Sequence, residues 1–156
     1  MAREVMRRQA ADNEYLHQDF HGALSCGIDY LEAHFGADAV RQYLRSFSLS
    51  YYAPLRDEVR RRGLAALRDH YDEVYRLEGG QVQFELTDDE LRVRVEACPA
   101  VTHMRQRGYP VARLWVETLA TVGVALCEGT PYEAALLEYE PQTGRSLQRF
   151  RRRSGS

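Results

Sequence analysis

The stretch that decides the fold is GGQVQFELTDDELRVRVEACP, residues 79–99. Upstream of Gly79, apolar residues recur every three or four positions, the period of a helix. From Val82 the period drops to two. Val82, Phe84 and Leu86 alternate with Gln83 and Glu85, and Leu91, Val93 and Val95 alternate with Arg92, Arg94 and Glu96. Two alternating runs joined by the polar turn TDDE predict an antiparallel hairpin with one wet face.

Working outward, the chain before the hairpin reads as helix. Leu16, Phe20, Ala23, Leu24, Gly27, Leu31 and Phe35 predict a first helix with an apolar stripe, stopped at Gly36. A second begins at Asp38 and presents Val40, Tyr43, Leu44, Phe47 and Tyr51, with Pro54 kinking or ending it. Residues 55–62 read as helical up to Gly63, and a further helix covers about 64–77. After the hairpin, Pro99 suits the first turn of a short helix that ends near Gly108. Pro110 is expected to open a long helix ending at Gly129, with Leu114, Val122 and Leu126 inside. Residues 132–139 and 146–151 read as a second hairpin around EPQTGR. The expected order is three helices, two strands, two helices, two strands. This is one α+β domain over residues 14–153, with an antiparallel sheet of about four strands and helices on one face. Residues 1–13 and 154–156 are expected to be flexible ends.

Composition narrows the function. The 156 residues carry a net charge of −2, so no overall field draws nucleic acid or acidic lipid. All 21 basic residues are arginine, which removes a Schiff-base or P-loop lysine. Cys26, Cys98 and Cys127 are odd in number and lack CxxC spacing, pointing to a reducing compartment. The start, MAREVMRRQAADNEY, has no apolar core of a signal peptide, and no run is long enough to cross a membrane. A cytoplasmic protein without membrane or nucleic-acid partner is the expectation.

Four groups could carry chemistry. His17 and His21, four residues apart, share a helix stripe and could chelate Zn²⁺ or Mn²⁺ with ligands from elsewhere. They could equally be hydrogen-bonded histidines at the edge of a core; His34 reads as structural. Cys98, between a strand and Pro99, sits where a helix dipole would lower its pKa and favour thiolate. Its neutral alternative is a small buried hydrophobe. His103 is a further candidate metal ligand, although it lies about 140° round the helix from Cys98; His17 or His21 would serve better as base. Glu117, with Arg113 four residues before it, could be a ligand, a base or an ordinary ion pair. Tyr51 and Tyr52, among ten tyrosines, could line a pocket with their hydroxyls or sit half-buried in the core. The arginine runs 60–62 and 151–153 lack interleaved aromatics, so single-strand binding is not indicated.

The segments CPAVTHMRQRGYP, VGVALCEGTPYEAALLEYE and PQTGRSLQRF resemble the L-2-amino-thiazoline-4-carboxylic acid hydrolase-like family over roughly the last third of the chain. The plan is also similar to 4-vinyl-reductase-type ligand-binding domains. Only Cys98 matches a motif cysteine of the hydrolase-like family; Leu114, Trp115 and Gln148 stand where its further cysteines are expected. The resemblance implies hydrolysis of a C–N bond in a small polar molecule. Cys98 would be nucleophile or metal ligand, and His17 and His21 ligands or proton carriers, with water activated on Zn²⁺ or Mn²⁺ as the metal-assisted form. A non-catalytic small-molecule-binding module is the alternative, and a homodimer through helical aromatics is a third reading.

Overall fold

In a computed structural model, residues 15–155 are described, with side chains from residue 19 onward. The helices are α1 (Tyr15–Phe35), α2 (Ala37–Tyr51), α3 (Ala53–Arg62), α4 (Leu64–Leu77), α5 (Pro99–Gln106) and α6 (Glu117–Cys127), with a 3₁₀ turn at Arg113–Val116. The strands are β1 (Val82–Leu86), β2 (Glu90–Val95), β3 (Tyr132–Glu140) and β4 (Arg145–Arg152). They form one antiparallel sheet in the order β1-β2-β4-β3.

Both predicted hairpins form, β1–β2 in continuous register and β3–β4 with a register shift between Leu136 and Glu138. Val82 lies opposite Val95 and Phe84 opposite Val93, while Leu91 faces Phe150 across β2 and β4. The period of two thus collects Leu91, Val93, Val95 and Phe150 on one face. There they meet Leu67 and Tyr75 of α4 and Leu126 of α6 in the main core. The other face carries Arg92, Arg94, Arg149 and Arg151 and, among the described residues, no helix, giving the α+β plan with helices on one side. A second cluster, around Ile28, Val40, Leu44, Val101, Met104 and Trp115, joins α1 and α2 to α5 and the 3₁₀ turn.

Three expectations need correction. Among the described residues four helices, not three, precede the sheet: of the two readings of Pro54, it ends α2 rather than kinking it, and it lies in the first turn of a separate α3. Pro110 does not open the long helix. Residues 109–112 are irregular, and α6 begins only at Glu117. The buried Ser25 hydroxyl on α1 accepts from the Ala112 N–H at 2.8 Å and donates to the Pro110 carbonyl at 2.8 Å. It thereby supplies partners that helical hydrogen bonds would otherwise provide. Finally, the α1 stripe is rotated. Ser25 and Ile28 are fully buried, whereas Phe20 is 52% and Phe35 68% exposed, and Ala23 and Gly27 also face out. Among the described residues, no helix is long and apolar enough to cross a membrane.

Candidate functional site

Helix α4 ends with a motif that creates the site. The Gly80 N–H bonds to the Tyr75 carbonyl at 2.8 Å and the Gly79 N–H to that of Arg76 at 3.2 Å. Gly79 takes φ +73°, the left-handed conformation that glycine adopts without a Cβ clash. Gly80 packs so closely on α5 that a Cβ there would lie 2.4 Å from Pro99 Cγ. The end of α4 is therefore locked to the start of α5, and Glu78 is held at the corner between them. A cleft of about 420 Å³ opens beside this corner, and Glu78, Gln81, Glu96, Thr102 and His103 line it.

His21 of α1 completes the corner. Its Nε2–H donates to Glu78 Oε1 at 2.9 Å, with 18% and 16% of the two side chains exposed. Trp115 stands edge-on to the imidazole at 6.1 Å. A half-buried imidazole–carboxylate pair at a cleft is a unit able to accept, hold and return a proton. His103 lies across the cleft, one turn into α5 and 11% exposed, its Nε2 3.7 Å from Asp19 Oδ1. That distance is too long for a hydrogen bond, and Nε2 is buried without a partner.

Cys98 is the N-cap of α5 in extended conformation, as its position before Pro99 predicts. Its N–H bonds to the Thr143 carbonyl at 2.9 Å in the β3–β4 turn. Its Cβ packs where a Gly144 side chain would sit, 2.5 Å from an added Cβ. The expected drop in thiol pKa is overturned. Burial pushes the Cys98 thiol up, and the Val101 and Ala100 amides at the helix start offset only part of this, while the Glu78 charge adds to it. Burial likewise raises the hydroxyl of Tyr75 well above its usual value and that of Tyr139 to about 12, with Cys98 nearby contributing to both.

Among the other predicted residues, His17 lies on α1, but its side chain is outside the described residues. Tyr51 is 64% exposed and stacks on Phe47. Tyr52 leans on the main core beside His70, and burial raises its pKa. Neither tyrosine lines the cleft. Glu117 is taken by Arg41 at 3.0 Å and by the Thr121 hydroxyl at 2.6 Å. Arg113 bonds to Glu32 instead, because it precedes α6 in the 3₁₀ turn and so does not share a helix with Glu117. Among the described residues, no three His, Cys, Asp or Glu side chains are placed to hold a metal. His21 Nε2 is engaged by Glu78, and Cys98 and His103 do not converge on it. The described members of the expected Zn²⁺ or Mn²⁺ set therefore do not fit an ion. Glu78 went unread in the sequence; its signal was an acidic residue directly before the helix-ending Gly79–Gly80. The chain matches no family model and no curated protein sequence.

Proposed function

We propose that the cleft at the α4–α5 corner binds a small polar molecule and hydrolyses a C–N bond in it, with Glu78 as proton carrier and His21 orienting it. The observation that carries this reading is the 2.9 Å bond from His21 to Glu78, a carboxylate that lines the cleft. The class of reaction follows the resemblance to the L-2-amino-thiazoline-4-carboxylic acid hydrolase-like family. Glu78 takes a proton from water as the water oxygen bonds to the carbon. The C–N bond then breaks, and the leaving nitrogen receives that proton, so water is consumed and no other reactant is needed. His103 and Thr102 supply polar contacts for the bound molecule from the α5 side.

General acid–base catalysis is worth about 10²–10⁴-fold. Glu78→Gln should therefore lower kcat by about that much while leaving the melting temperature nearly unchanged. Equal turnover in wild type and Glu78→Gln would overturn the assignment. A second reading, a binding module without turnover, is favoured by Cys98 being held as a neutral thiol. It predicts saturable binding without product, and His103→Ala weakening that binding.

A further inference from the structure

A second cleft, of about 670 Å³, lies where the α3–α4 junction faces the β1–β2 turn and the paired ends of β3 and β4. It shares no lining residue with the cleft beside Glu78. Four of its lining residues are arginines, Arg60, Arg61, Arg62 and Arg152, against one carboxylate, Asp88. Their own partners stand outside it. Arg60 donates to Asp57 and the Gly129 carbonyl, Arg61 to Glu58, Arg62 to Asp69 and Arg152 to Asp89, and none of these acceptors lines the cleft. A guanidinium carries five N–H donors in a rigid fork, so a carboxylate behind it fixes its direction and leaves donors for a ligand.

The Tyr132 hydroxyl marks where that ligand would bind. Tyr132 is only 5% exposed, its oxygen accepts from Arg152 Nη2 at 3.4 Å, and the Arg152 guanidinium lies 5.2 Å over its ring. The hydroxyl's own proton has no acceptor among the described residues, whereas buried polar groups are as a rule paired. A Cβ added at Gly63 would lie 2.9 Å from this hydroxyl, and Gly63 takes φ +71°, so glycine alone brings the start of α4 this close. Gly63 provides no side-chain cap for the Leu64 and Ala65 N–H groups, which have no partner within the helix. A buried hydroxyl proton, two helix-start amides and Arg152 therefore meet in one cleft, all of them donors. They match a group with several acceptor oxygens and more than one negative charge, which is a phosphoryl group. Such a group fills a small part of the volume, and Val59, Leu86 and Pro131 add apolar wall for an organic part.

We propose that this cleft binds a phosphate monoester, its phosphoryl group on the Tyr132 hydroxyl, the start of α4 and Arg152, and its organic group against Val59, Leu86 and Pro131. Calorimetric titration with phenyl phosphate and with inorganic phosphate, at one ionic strength, tests it. Phenyl phosphate should bind saturably to wild type and more tightly than inorganic phosphate. Tyr132→Phe keeps the ring beneath Arg152 and removes only the hydroxyl. It should raise the dissociation constant for phenyl phosphate by about tenfold or more. Arg152→Gln should lose at least as much, and it keeps the test open if Tyr132→Phe does not fold. Arg107→Gln removes an exposed arginine that does not line the cleft, and the dissociation constant should stay unchanged. No saturable binding to wild type, folded Tyr132→Phe and Arg152→Gln proteins that bind as wild type does, or an equal loss in Arg107→Gln overturns the proposal. Inorganic phosphate binding as tightly as phenyl phosphate overturns the monoester assignment.

Discussion

At the scale of single residues, position and environment pull Cys98 in opposite directions. Its place at the start of α5 was readable from Pro99, and the Ala100 and Val101 amides do favour its thiolate. Its depth was not readable, because it arises from Thr143 and Gly144, more than forty residues away in the chain. Burial wins. Cys98 should therefore alkylate with iodoacetamide more slowly than a free cysteine peptide at pH 7, and faster alkylation would show a thiolate after all. Cys127, pushed up to about 12 by burial, should be slower still than a free thiol. His21 was legible as a chemical candidate from its spacing to His17, but its partner Glu78 lies 57 residues on. No local pattern links the two. They meet because α1, packed on α2, α5 and the 3₁₀ turn, carries His21 to the residue just before Gly79, where the chain turns.

At the scale of elements, the strands were legible even where propensity argued against them. YEAALLEYE is rich in Ala and Leu, which suit a helix, yet it forms β3. Pairing decides the matter: β4 has one edge on β2, and its other edge is satisfied only by β3. The start of α6 was misread because the deciding bond comes from Ser25, on another helix. Ser25→Ala would leave the Ala112 N–H and the Pro110 carbonyl without that partner in a buried site. It should cost about 1–3 kcal/mol in urea unfolding, and a loss below about 0.5 kcal/mol would mean that this junction is held by something else. The β3–β4 turn is equally constrained. Gly144 has φ +68°, and an added Cβ would approach Cys98 Cβ at 2.5 Å and Val101 Cγ2 at 2.9 Å. Gly144→Ala should thus combine left-handed strain of about 1–2 kcal/mol with overpacking of about 1–3 kcal/mol. A variant as stable as wild type would show that this turn can shift away from α5.

At the scale of the molecule, the change of period at Val82 was enough to separate helical from sheet sequence and to make the sheet antiparallel. Which face of α1 is inside was not, because both faces are apolar and only the packing of α2 and α5 chooses between them. The outer surface is bound by arginine–carboxylate pairs, which hold Asp69, Glu90, Glu128 and Glu133 below the usual carboxylate range, chiefly through hydrogen bonds from Arg62, Arg92, Arg45 and Arg151 respectively. Each such depression adds stability above the unfolded pKa of about 4 and loses it as pH falls through the folded value. The melting temperature should accordingly fall as pH drops below about 4, with salt blunting the effect because the pairs are exposed; a rise on acidification would contradict the pairing. The central claim, that the cleft beside Glu78 is where the chemistry happens, is tested most directly by following release of the hydrolysis product from 2-aminothiazoline-4-carboxylate and related cyclic C–N compounds by wild type and Glu78→Gln at matched melting temperature. The account predicts turnover by wild type that falls by about a hundredfold or more in Glu78→Gln. Turnover that is the same in both proteins, or none by wild type with any of these compounds, would contradict it.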